Sequence, residues 1–130
     1  MADEKLLMVL MAVTEMAKAK AFYAEQLGWS VTQDYGQGDR HWVSLELPGG
    51  GASLTLSTMH EHMKPGTMTL YVSTSNIEAG YNELKAKGVK VNEVKDDLYG
   101  PGSGVKWFDL RDPDGNRWLM VQSEKGPGNV

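Results

Sequence analysis

The strongest constraint on this chain is that it is written twice. The shift that sets Met8–Val13 on Thr67–Val72 also sets Phe22 on Tyr81, and each copy runs in the same order: an apolar strand, an amphipathic helix, then three strands divided by turn residues. In the first copy Leu6 to Val13 reads as a buried strand. Within TEMAKAKAFYAEQLGW the residues Met16, Ala19, Tyr23 and Leu27 recur at helical spacing with Phe22 alongside. Thr14 is placed to cap that helix and Gly28 to end it. Strands follow at Ser30 to Tyr35, Arg40 to Leu47 and Ala52 to Ser57, punctuated by GQGD and PGGG. In the second copy Thr67 to Val72 is a strand. SNIEAGYNELKAKG is a helix with Ser75 and Glu78 in capping-box spacing, Ile77, Tyr81 and Leu84 on one face, and Gly88 closing it. Strands at Lys90 to Lys95, Val105 to Arg111 and Asn116 to Gln122 complete the set.

The last two of these strands are joined by Asp112-Pro113-Asp114-Gly115, a tight-turn sequence. Pro113 presets φ near −65°, Asp112 accepts from the backbone ahead, and Gly115 tolerates a positive φ. Such a turn fixes register, and register fixes which side chains share a face.

Composition limits what the chain can partner. Thirteen Lys and Arg are dispersed among seventeen acids, for a formal charge of −4. A polyanion needs a clustered basic surface, so nucleic acid is excluded as a partner. The longest apolar run, Leu6 to Val13, is far short of the roughly 20 residues of a membrane-spanning helix, and the N-terminus does not resemble a signal peptide. The reading is a soluble, cytoplasmic protein with no membrane partner. The absence of Cys removes disulfides, thiolate metal sites and a Cys nucleophile.

Two motifs carry a family resemblance. KAKAFYAEQLGW and RDPDGNRWLM, in the right halves of a duplicated βαβββ chain, resemble the helix and the closing hairpin of the vicinal oxygen chelate superfamily. That group includes glyoxalase I, extradiol dioxygenases, fosfomycin-resistance transferases and bleomycin-resistance proteins. The resemblance covers nearly the whole chain. It implies an α+β fold of two tandem βαβββ modules forming a cupped mixed sheet with helices on the convex face. The modules would lie at about residues 5–58 and 67–123, with a linker at about 59–66 and a loose C-terminal tail, all within a single domain of residues 1–130. It fixes no activity, since one scaffold serves several chemistries.

In metal-dependent relatives four His and Glu ligands project into the cup. Carried over strand by strand, those positions hold Met8, Thr55, Thr67 and Leu119, a thioether, two hydroxyls and a hydrocarbon that hold a divalent cation poorly. A one-residue slip restores no ligand. The resemblance therefore implies a metal-free member without cofactor, closest in character to the bleomycin-resistance-like branch, which binds a small molecule and pairs as a homodimer.

Strand alternation sorts the remaining side chains. Val43, Leu45, Leu47, Leu54, Leu56, Met68, Leu70, Val72, Phe108, Leu110, Trp118 and Met120 form a face suited to burial under the helices. The opposite face holds Met8, Trp42, Ser44, Glu46, Thr55, Thr67, Tyr71, Trp107, Asp109, Arg117 and Leu119. Either this face is partly solvated or in a subunit contact, or it is a ligand pocket with aromatic walls and polar groups to orient the guest. Carboxylates beside Trp rings favour a cationic or hydrogen-bond-donating aromatic guest, unless Arg117 neutralises Asp109 or Glu46. The rival to a binder is an enzyme of the glyoxalase or lyase type. It would use a metal on His60, His62 and Glu46, or acid–base catalysis by Glu46 or Asp109. His41 reads as a strand-edge residue, His60-Glu61-His62 as a solvated linker turn, and GPGSG as a flap; no catalytic residue is assigned.

Overall fold

The computed structural model describes residues 2–59 and 61–123. His60 and the tail beyond Ser123, both singled out above, lie outside the described residues. The fold is α+β, with two mixed sheets. The chain divides into two compact units: residues 1–67 with 113–115, and residues 68–112 with 116–130.

Unit 1 contains β1 (Met8–Ala12), α1 (Met16–Ala21), β2 (Ser30–Gln37), β3 (Arg40–Glu46) and β4 (Ser53–Ser57). Its sheet has the order β1-β4-β3-β2, with β1 parallel to β4 and the other pairs antiparallel. Unit 2 contains β5 (Thr69–Thr74), α2 (Ile77–Ala86), β6 (Trp107–Arg111) and β7 (Arg117–Gln122), in the order β5-β7-β6. Here β5 is parallel to β7, and β7 antiparallel to β6. The duplication thus extends to topology: in each unit the first strand pairs in parallel with the last.

The second copy departs from the first at Lys90 to Lys95. A full strand was expected there, but only two isolated bridges form, Val91 with Leu110 and Lys95 with Trp107. The cause is local. The Asn92 side-chain oxygen accepts the Asp109 N–H at 2.5 Å, so a side chain fills a rung that the backbone would otherwise take.

The helices differ from expectation in their ends. Thr14 does not cap α1; its N–H and hydroxyl instead bond the Asp114 carboxylate, the hydroxyl at 2.5 Å. Beyond Ala21 the helix loosens into a π-helical turn, Phe22–Gln26, in which the Leu27 N–H reaches the Phe22 carbonyl at 2.9 Å. The wider turn sets the buried Tyr23 ring against Trp29, centroids 5.5 Å apart, and edge-on to Phe22. The FY and LGW of the motif are thereby one aromatic cluster. In α2 the cap is Asn76, whose side chain accepts from the Ala79 N–H, rather than Ser75. Gln122 closes the same end by accepting from the Ile77 N–H and donating to the Ser75 carbonyl.

The helix-side face is a core over most of the expected positions, while Met68, Leu70 and Val72 are only half-buried. Val43, Leu45 and Leu56 are fully buried, Leu54 nearly so, and Phe108, Leu110 and Trp118 are buried in unit 2, where Tyr81 of α2 meets Phe108 edge-on. The first strand was expected to be buried from Leu6. Its ladder instead starts at Met8, because its partner β4 starts at Ser53 after the PGGG turn. Leu6 and Leu7 run past that end and are exposed.

Asn116 anchors the closing hairpin. Fully buried, it donates from its backbone N–H and its amide to the two Asp112 oxygens, each at 2.8 Å, and its amide oxygen accepts the Met68 N–H at 2.9 Å. One side chain thus satisfies the turn and the backbone leading into β5. In unit 1, Gly66 has φ +79, and a Cβ there would overlap the Asp114 carbonyl; no other residue type fits without a backbone shift. Asn116→Ala strands the Met68 N–H and removes the amide donor from a buried carboxylate, leaving only the backbone N–H on Asp112. The expected loss is about 2–4 kcal/mol, read as a lower urea midpoint at unchanged slope.

Candidate functional site

On unit 1 the alternate face is less open than its hydroxyls suggest. Ser44, Thr55 and Ser57 are buried, and the Ser44 and Thr55 hydroxyls bond each other at 2.9 Å. Each hydroxyl meets the other's hydrogen-bonding need, so the pair tolerates burial. Met8 and Leu10 are exposed on the edge strand, and Glu46 is exposed at the last position of β3. Trp42 is half-buried; its indole N–H is buried and has no hydrogen-bond partner among the described residues.

The same face ends in an open groove of about 640 Å³, lined by Leu10, Asp39, Arg40, Thr58, Met59, Glu61, His62 and Met63. Its walls are fixed by the hairpin and by the start of the linker. The Thr58 hydroxyl accepts from the His41 N–H and donates to the Gly38 carbonyl, while the Ser57 hydroxyl accepts from the Met59 N–H and donates to the Met59 carbonyl. Alternation puts Arg40 on the Trp42 side of β3, and pairing through β4 puts Leu10 on that side too. Sequence reasoning had the face but missed the groove. The pairing of Trp42 with Ser57 brings the first linker residues opposite the GQGD turn, and the methionines at 59 and 63 were the signal available.

The four positions inherited from metal-dependent relatives do not suit a divalent cation. The Thr55 hydroxyl is engaged by Ser44, the Thr67 hydroxyl donates to the Lys64 carbonyl at 2.7 Å, Leu119 is buried hydrocarbon, and Met8 offers a thioether. The alternative set fares no better. His62 lines the groove beside Arg40, at the opposite end of the seven-residue β3 from Glu46, a separation of roughly 20 Å. Among the described residues no three His, Asp or Glu side chains converge.

On unit 2, Tyr71, Leu119, Asp109, Arg117 and Trp107 share one face by register. Arg117 donates from Nε to Asp109 at 2.7 Å and lies 5.9 Å from the centre of the Trp107 ring. Lys95 lies 5.6 Å from that ring, and the Trp107 indole N–H donates to Asp97 at 2.9 Å. Tyr71 is exposed, while Leu119 is buried.

His41 is held rather than free. Its Nε2 lies 2.6 Å from one Asp34 oxygen, and Lys20 lies 2.6 Å from the other. The Lys20 ammonium first, and His41 second, hold the Asp34 carboxyl below its usual range.

Three comparisons bear on this geometry. The family model described as Glyoxalase/Bleomycin resistance protein/Dioxygenase superfamily matches residues 5–120. TnmS3, an antibiotic binding protein from Streptomyces sp. CB03234, superposes with a TM-score of 0.81 at 27% identity, covering 94% of this chain and 98% of that one. A glyoxalase/bleomycin resistance protein from the same organism gives 0.75 at 26% identity, covering 90% and 99%. An uncharacterized protein of Mycolicibacterium smegmatis is 30% identical over 88 residues, 68% of this chain and 71% of that protein. No helix among the described residues is long and apolar enough to cross a membrane.

The Asp34 network gives a pH signature. A carboxyl whose folded pKa is depressed adds stability that is fully present above its unfolded value of about 4. That stability is lost as pH falls through the lower folded value. Asp34→Asn should therefore lower the urea midpoint at neutral pH, and the gap to the parent protein should close below about pH 4.

Proposed function

Because the chain belongs to the Glyoxalase/Bleomycin resistance protein/Dioxygenase superfamily, we propose that it is a metal-free member that binds a small aromatic or amphipathic molecule, such as an antibiotic, and acts by sequestration in the cytoplasm. The observation that carries this reading is the groove of about 640 Å³ on the Trp42 face of unit 1, a volume in the range of small-molecule sites. Leu10, Met59 and Met63 give it adaptable apolar walls, and Arg40, Asp39, Glu61 and His62 give it polar groups to orient a guest. The likeness to the antibiotic binding protein TnmS3 supports the same reading.

Donor chemistry supports the metal-free part. Met8, Thr55, Thr67 and Leu119 provide neither carboxylate nor imidazole where relatives hold their metal. The working form is a homodimer. Its support is the edge strand β1, where Leu6, Leu7, Met8 and Leu10 leave apolar surface exposed beside an unpaired strand edge within unit 1's sheet.

Protein purified without chelators should carry nickel, zinc, manganese or iron at well below one equivalent per chain; stoichiometric metal defeats the metal-free reading. Thermal shift and tryptophan fluorescence across a varied set of aromatics, antibiotics and thiol conjugates should find at least one stabilising ligand. Trp42→Ala should weaken that ligand by about tenfold or more, equivalent to roughly 1.4 kcal/mol, with the unfolding midpoint largely kept. No response anywhere in the set would turn the reading toward a protein-interaction module.

A further inference from the structure

The charged groups of unit 2 select the sign of a guest. The sequence favoured a cationic or hydrogen-bond-donating aromatic guest unless Arg117 neutralised Asp109 or Glu46. The structure pairs Arg117 with Asp109. The Asp109 carboxylate is engaged by Arg117 and the Asp97 carboxylate by the Trp107 indole N–H. The Trp107 ring, the surface that would attract a cation, already has the protein's own Lys95 and Arg117 within 6 Å of its centre. A cationic guest would find the ring face already shared with Lys95 and Arg117 and the Asp109 carboxylate already paired.

An anionic guest meets the opposite arrangement. A guanidinium has five N–H donors in a planar fork, and Arg117 commits only Nε to Asp109. Its two terminal amino groups have no acceptor among the described residues, and the side chain is 34% exposed. Asp109, at 19% exposure, fixes the orientation of the fork while leaving that edge available. On the same face the Tyr71 ring, 63% exposed, offers a flat surface and a phenolic O–H. We propose that this face takes a planar aromatic anion, a carboxylate or an ionised phenol or enol. The anionic oxygen would bond the terminal nitrogens of Arg117, and the ring would lie along Tyr71. The site lies on unit 2 and is argued from that unit's residues, apart from the groove of unit 1. Arg117 is the binding residue, and Asp109 is a positioning residue that holds it.

A charge series of one shape tests this: 2-naphthoate, 2-naphthamide and 2-naphthylmethylammonium, titrated calorimetrically against the intact protein. Naphthoate should bind at least about tenfold more tightly than the other two and should shift the Arg117 Nε–H and Trp107 indole resonances. Arg117→Gln should bring naphthoate down to the level of naphthamide, while naphthamide changes by less than about twofold. Because the preference and the resonance shifts are measured first on the parent protein, a poorly folding variant does not remove the test. Equal binding of the three, preference for the ammonium, or a naphthoate preference that persists in Arg117→Gln overturns the inference and leaves small-molecule binding standing. Failure of all three probes to bind also overturns it; the broader ligand set then judges sequestration separately.

Discussion

Unit 2 depends on one buried amide. Asn116 has no exposed surface and makes four hydrogen bonds, three with Asp112 and one to the backbone ahead of β5. Burying so polar a side chain is tolerable only when its donors and acceptors are met. The network therefore fixes two things together: the conformation of the turn between β6 and β7, and the point where β5 enters alongside β7. The register of all three strands follows, and with it the assignment of Tyr71, Asp109, Arg117 and Leu119 to one face and of Leu70, Leu110, Trp118 and Met120 to the other. A slip of one residue would exchange the two sets.

The two units use this common frame for different chemistry. In unit 1 the alternate face turns inward over its central strands. Ser44 and Thr55 satisfy each other, and a groove opens at the strand ends, where the GQGD hairpin meets the linker. In unit 2 the corresponding positions carry an ion pair beside a ring, with exposed hydroxyls on the edge strand β5. Duplication preserved the opening strand and helix and the parallel pairing of first and last strands, while the second copy forms one strand fewer and the side chains diverged.

Some of the site was legible in the sequence for a simple reason: alternation has a period of two, and a tight turn pins its phase. Trp42, Ser44, Thr55, Trp107, Asp109 and Arg117 were all assignable to the side away from the helices from the sequence. The groove was not legible, because Asp39, Arg40, Met59 and Met63 come from a turn and a linker whose paths no periodicity encodes. The strand at Lys90 to Lys95 was misread because Asn92 puts its side chain where a backbone rung was expected. The π-helical turn after Ala21 was invisible because Tyr23 and Trp29 gain their contact from a widened turn, not from helical spacing.

By itself the sequence determined that a strand, a helix and further strands recur twice, the turn at Asp112 to Gly115, most of the helix-side core and the absence of carboxylate and imidazole from Met8, Thr55, Thr67 and Leu119. Each is a property of residue type and spacing along the chain, and local sterics, hydrophobic periodicity and donor chemistry are enough to fix it. Only the tertiary structure decided which polar groups remain available. It buried Ser44 and Thr55 against each other, joined His41 and Lys20 through Asp34, and neutralised Asp109 with Arg117. Whether a polar side chain is satisfied depends on which partners come within about 3 Å of it, and those partners are brought there from other strands.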